Sequence, residues 1–207
     1  VILKKKHSLP NDKLKIFMNT ITSTYKLERH KLMKDKTDHL PSYDEFKHKL
    51  DELFLKEDWK KYIINYILFY FFVRNLDLLL TITKTTDITE GINYLVIKED
   101  NTIDYIRTNY KTKKHYGMKT INITDDKFYR AVCILYDKNN YLLLGNINKS
   151  SLNKIIQRLT INNLGETRIL NINVDKYKDD EEMMKKISEY RGTRVSVLLS
   201  DYNSSWE

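Results

Sequence analysis

A chain of 207 residues and 24.9 kDa suits one large domain, or a small domain beside a compact one, burying about 70% of its unfolded surface. With 41% hydrophobic and 31% charged residues but only five Gly and two Pro, it is neither collagen-like nor a Gly/Pro-rich disordered chain. The formal charge of +8 is uneven: residues 1–40 hold ten Lys/Arg against four Asp/Glu, and Tyr105 to Thr124 holds five Lys/Arg and no acid. Two separated basic surfaces favour a polyanionic partner, nucleic acid or an anionic membrane.

The first segment, Asn11 to about Lys36, places Leu14, Ile16, Phe17, Ile21, Tyr25 and Leu32 at loose helical spacing and predicts a basic amphipathic helix capped by Asn11 or Asp12. A break at Thr37 to Pro41 divides the chain into a basic helical arm or domain remnant, 1–40, and a body, 41–207. Ser42 and Glu45 form a capping box ahead of the stripe Phe46, Leu50, Leu53 and Phe54. From about Asp58 to Phe72 the sequence is apolar on nearly every side and predicts a central core helix. Its run Tyr62 to Val73 falls well short of the roughly 20 residues that cross a bilayer, so no integral membrane association is expected. No signal-peptide pattern opens the chain, and because it starts at Val1 rather than Met, an upstream part is left open.

Beyond that helix the pattern turns polar at Arg74. Tyr94 to Ile97, Ile103 to Asn109 and Met118 to Ile123 predict a small three-stranded antiparallel sheet, with the basic loop Lys111 to Gly117 as its second connection. Helices are predicted at about Asp125 to Asp137, with Phe128, Val132, Ile134 and Leu135 inward, and at Ser151 to Leu159. Leu164 to Val174 is ambiguous between an extended run and an irregular helix. Helices follow at Lys178 to Ser188 and from Arg191-Gly192-Thr193 to Tyr202. The fold class is thus mainly α with a small antiparallel sheet. The single Cys133 excludes an intrachain disulfide and reads as an inert core residue, and His7, His30, His39, His48 and His115 lack metal-ligand spacing. No metal or cofactor is expected.

Arg74 stands where the most buried helix emerges, either paired with Asp77 or held to face a ligand. A DNA clamp with no catalysis is one account of these charges, since Lys and Arg neutralise phosphates without reading sequence. A second uses Tyr202 as a nucleophile on a phosphodiester, with Arg74, Arg168 and Lys111 around the phosphoryl oxygens. The planar guanidinium engages two oxygens as charge develops, and an ammonium can protonate the departing oxygen. A phenol with an ordinary pKa of about 10 needs nearby positive charge or a base to act this way.

The order of these residues resembles the catalytic domain of tyrosine recombinases of the phage-integrase type, related to type IB topoisomerases. Arg74-Asn75-Leu76-Asp77-Leu78 matches the R-x-x-[E/D]-L string; the hairpin lysine falls on Lys111, with Lys113, Lys114 and Lys119 as competitors. Arg168, 34 residues before Tyr202, fits the second arginine, and Arg191 is its spatial alternative. Gly165 and Thr193 stand where the family has His, and His115 is a DNA-proximal loop residue and a candidate substitute. Gly192 and Tyr202 have the family separation, and Arg194 joins the DNA-facing set. The resemblance, over Pro41 to Tyr202, implies strand cleavage through a 3′-phosphotyrosyl link, then recombination or integration. Its alternatives are a topoisomerase-like relaxing enzyme or a DNA-binding derivative that has lost turnover. It also implies double-stranded DNA as partner, copies assembled on DNA, a viral or mobile-element source, and an intracellular place at DNA: nucleus, viral factory or virion.

Overall fold

The computed structural model describes residues 12, 14–25 and 40–202. Two compact units, Val1–Leu40 and Pro41–Glu207, make up the chain. In the first, residues 14–25 are helical and expose Ile16, Phe17, Met18, Ile21 and Tyr25. The expected cap at Asn11 and the expected continuation through 26–36 lie outside the described residues.

The second unit is mainly α-helical with a small mixed four-stranded sheet. Helix α1 (Tyr43–Leu55) opens on the capping box: the Glu45 N–H donates to Ser42 Oγ at 3.2 Å, and the Ser42 N–H donates to the Glu45 carboxylate at 2.7 Å. Helix α2 (Trp59–Phe71) is capped by Asp58 and buries almost every side chain it carries, as its all-round apolar sequence requires. Phe46 of α1 stacks on Phe69 of α2 with ring centroids 4.6 Å apart. Phe72 ends α2 in a left-handed conformation, φ 53°, with its ring held in an apolar cluster of Leu170, Val174, Met184, Ile187 and Leu198. The chain therefore leaves the core abruptly, and Arg74 is the first residue outside it that is not buried.

A 3-10 turn (Asn75–Leu78) leads into the sheet, whose strands β1 (Leu80–Thr83), β2 (Asn93–Ile97), β3 (Ile103–Arg107) and β4 (Lys119–Ile123) lie in that order. The three antiparallel strands read from sequence correspond to β2, β3 and β4, and the expectation of a three-stranded sheet is corrected by β1. That strand runs parallel to β2, with Leu80 opposite Asn93 and Thr83 opposite Val96. Its Leu80 and Ile82 are buried and alternate with half-buried threonines, a signal only four residues long. All five residues of β2 are buried, consistent with its place between β1 and β3.

Helix α3 (Lys113–Tyr116) is a single turn inside what reads as a plain basic loop. Helix α4 (Asp126–Asp137) buries Phe128, Ala131, Val132 and Leu135, whereas Ile134 and Cys133 are half-buried, so Cys133 is not the core residue its apolar neighbours suggest. Helix α5 (Leu152–Leu159) buries Leu152 and Ile156. The ambiguous stretch from Leu164 is helical, as α6 (Gly165–Tyr177), and α7 (Glu181–Arg191) and α8 (Val195–Tyr202) complete the unit. Among the described residues, no helix is long and apolar enough to cross a membrane.

One buried amide holds α5 against the core helix. Asn65 of α2, fully buried, donates to Lys61 O at 2.7 Å and Leu159 O at 3.0 Å and accepts from the Ile161 N–H at 2.9 Å. Asn65→Ala strands a buried carbonyl and a buried amide together, and is expected to cost about 2–4 kcal/mol in urea unfolding. Ser42→Ala, which removes one exposed cap, should cost only about 1 kcal/mol in the same measurement.

Candidate functional site

The exit of α2, the sheet and the end of α7 meet around two buried arginines. Asp77 is fully buried and accepts from Arg107 Nη2 at 2.6 Å and from the Arg74 N–H at 3.1 Å. Its backbone oxygen accepts from Tyr105 Oη at 3.1 Å and Asn93 Nδ2 at 3.2 Å. Burial pushes the Asp77 carboxyl up from its ordinary value, while Arg107 and the Arg74 N–H pull it back. Arg107, 1% exposed, also donates to Tyr190 O at 2.8 Å and lies over the Tyr110 ring at 4.5 Å. The carboxylate of the R-x-x-D-L string therefore pairs with Arg107, not with the Arg74 side chain.

Arg191 is the second buried arginine. It donates to Val73 O at 2.6 Å, to Phe72 O at 3.4 Å and to Glu166 at 2.7 Å. Glu166 also accepts the Asn75 N–H, so the first turn of α6, the end of α7 and the residues flanking Arg74 are joined. Both buried guanidinium groups are committed to holding the fold, although among the described residues Arg107 Nε and Arg191 Nε lack partners.

Arg74 is different. It is half-buried, and among the described residues its guanidinium has no hydrogen bond and no ion pair. Burial first, then the charge of Arg191, pushes it below its ordinary pKa, while Tyr202, Glu166 and Asp77 act the other way. An anion brought to this cation would relieve both effects. Tyr202, at the end of α8, is half-buried at the margin of the Phe72 cluster, and the Arg191 guanidinium lies 5.9 Å from its ring centroid. Arg74, Arg191 and Tyr202 are thus brought together from positions far apart in the chain.

The other expected residues fall into two groups. Lys119, first in β4 and opposite Arg107, donates to Glu189 O and lies over the Tyr116 ring at 4.8 Å. Burial, then Arg107, holds its ammonium below the ordinary range, with Glu189 opposing. Lys113 pairs with Glu90. Lys111, Lys114 and His115 are exposed, without a side-chain partner among the described residues. Arg168 of α6 is half-buried and equally uncommitted, and none of the contacts described for Arg74, Arg191 and Tyr202 involves it. Thr193 is half-buried, its N–H on Ser188 O at 3.0 Å, and the exposed Arg194 starts α8 by offering its carbonyl to Val197 and Leu198.

The basic loop is seated against the turn before α8. A Cβ at Gly192, whose φ is +63°, would lie 2.0 Å from Thr112 Oγ1, so this glycine permits both the turn and the approach. Thr112 follows Lys111 directly, which puts the backbone of Lys111 beside the segment that carries Tyr202. Among the described residues no cluster of His, Cys, Asp and Glu could hold a metal ion. The sequence reading missed Arg107 and Glu166; each is a charged residue inside an otherwise structured segment, with no local spacing to its partner.

Asp77→Ala leaves the buried Arg107 charge unpaired and is expected to destabilise the protein by about 3–5 kcal/mol. The double variant Asp77→Ala with Arg107→Met should recover part of that loss, read by urea unfolding of both single variants and the pair.

No protein-family model, curated protein or solved structure matches the chain.

Proposed function

We propose that residues 41–207 cleave and rejoin DNA strands by the chemistry of the tyrosine recombinases. The observation that carries this reading is Arg74: a half-buried guanidinium with no ion pair among the described residues, one residue from the Val73 carbonyl held by Arg191, whose guanidinium lies 5.9 Å from the Tyr202 ring centroid. A desolvated cation with no partner is costly unless a ligand supplies the charge. A backbone phosphate is the anion that also explains an adjacent phenol and a basic loop.

In the proposed reaction Tyr202 Oη bonds to phosphorus and the bond from phosphorus to the 5′ oxygen breaks. The phenolic proton passes to solvent, and the 5′ oxygen takes a proton from Lys111. Arg74 holds the phosphoryl oxygens as charge accumulates, joined by Arg168, whose role rests on the resemblance alone, and Arg191 keeps the exit of α2 in place while adding positive potential near the phenol. Religation to a new strand is recombination or integration, which needs copies of the chain assembled on DNA; religation to the same strand is topoisomerase-like relaxation. No metal enters this scheme. Lys119 is tied to Glu189 O and Lys113 to Glu90; of Lys111 and Lys114, which have no partner among the described residues, Lys111 is assigned the proton because it adjoins Thr112, seated against Gly192.

A second reading is favoured by Gly165 and Thr193, which occupy the places of the family's histidines: a DNA-binding module of the same fold that no longer turns over. A nicked suicide duplex separates the two. Strand cleavage predicts a denaturation-resistant protein–DNA adduct with the wild type, none with Tyr202→Phe, and a cleavage rate at least about 100-fold lower with Arg74→Ala. Salt-sensitive DNA binding without any adduct would overturn the enzyme reading in favour of the binding module.

If Lys111 protonates the leaving oxygen, Lys111→Ala should cleave slowly on normal DNA but near the wild-type rate on a substrate whose 5′ bridging oxygen is replaced by sulfur. A thiolate leaves without a proton. Absence of that rescue would move the role to another group.

A further inference from the structure

The longest acid-free stretch of the second unit is not in the basic loop but at 138–165, where Lys138, Lys149, Lys154 and Arg158 meet no Asp or Glu. Helix α5 lies within it. Its apolar side, Leu152 and Ile156, is buried, and its other side presents Asn153, Lys154, Gln157 and Arg158, all exposed. The two ends of this helix reach different places. At its start, Asn153 Oδ1 accepts from Asn75 Nδ2 at 2.9 Å, one residue from Arg74. At its end, Arg158 lines a groove of about 360 Å³ together with Lys49, Lys56, Lys61 and the acidic Glu52.

Part of the charge in that groove is already matched. Lys56 pairs with Glu52 at 2.9 Å and Lys61 with Asp58 at 3.2 Å. Arg158 and Lys154, in contrast, have no ion pair among the described residues, and the segment supplies none locally. The exposed face from Asn153 to Arg158 covers about 7.5 Å of helix axis, a length that spans roughly two phosphates of one DNA strand. Asn65 fixes the far end of α5 to the core, so these cations are presented on a rigid element.

We propose that the exposed face of α5, continued into the Lys49–Lys61–Arg158 groove, is a docking track for the phosphate backbone of duplex DNA leading away from Arg74. The partner is a polyanion with regularly spaced charges, met by cations on one helix face without base contacts. This surface rests on the reading that the chain binds DNA, but not on cleavage.

The test is the charge reversal Lys154→Glu with Arg158→Glu, compared with Lys186→Glu on α7. Both sets alter exposed residues, and circular dichroism establishes that each variant is folded. Binding of a nicked duplex is measured across a salt series, and adduct formation at saturating DNA. The expected result is at least tenfold weaker binding for the α5 double variant near 0.15 M salt, a salt slope shallower by about 2, and near wild-type affinity for Lys186→Glu. An affinity and slope equal to the wild type in the α5 variant would overturn the track, whether or not an adduct forms. Equal losses in both sets would also overturn it, as general charge attraction. Weakened binding in the α5 variant alone, with no adduct in the wild type, would uphold the track while removing the strand-cleavage reading.

Discussion

The buried pair between Asp77 and Arg107 is the joint on which the second unit depends. A carboxylate with no exposure is costly to ionise unless a cation answers it, and the partner of Asp77 comes from β3, thirty residues away in the chain. The same Asp77 receives the Arg74 N–H, while Arg107 extends to Tyr190 O, the carbonyl just before Arg191. A single ion pair therefore aligns the exit of the core helix, the central sheet and the last turn of α7. Arg191 and Glu166 form a second bond set around the same exit. The opposed charges and the hydrogen bonds to Asp77 Oδ2 and to the guanidinium Nη atoms offset the cost of burying this charge, while Asn75 Oδ1, Asp77 Oδ1, Arg107 Nε and Arg191 Nε have no partner among the described residues.

This framework sorts the arginines by commitment. Arg107 and Arg191 spend their donors on protein carbonyls and carboxylates. Among the described residues Arg74 and Arg168 have no such partner, and both are only half-buried. A cation that the fold desolvates but does not pair is the feature expected where an external anion completes the charge balance; that imbalance supports an anionic ligand, while the proposed strand-cleavage chemistry rests on the resemblance. The same test applied to the surface distinguishes the basic side of α5, where Lys154 and Arg158 have no ion pair among the described residues, from Lys56 at the end of α1 and Lys185 of α7, each paired with an acid four residues before it.

What was legible along the chain was what local physics controls. The Ser42 capping box, the all-round apolar α2, the helix beginning near Asp125 and the three antiparallel strands arise from residues within a few positions of one another. Strand β1 was not legible, because four alternating residues carry little signal and its parallel pairing with β2 is a tertiary event. Helix α6 read ambiguously because its buried Asn171 and Asn173 interrupt an apolar face; Asn173 Nδ2 donates to Ile169 O within the helix. Cys133 was misplaced since apolar neighbours along a helix do not fix which side faces inward.

The candidate site divides in the same way. The sequence by itself determined that Arg74 would stand at the mouth of the core helix and Tyr202 near the end of the last one, since helix ends follow from capping and from the limits of an apolar run. Only the tertiary structure decided that Asp77 would answer Arg107 instead of the Arg74 side chain, that Arg191 would be absorbed into the fold, and that Thr112 would seat against Gly192. Those outcomes depend on which buried charges meet across long chain separations, and a buried charge takes the partner that folding brings within hydrogen-bond distance, not the one nearest in sequence.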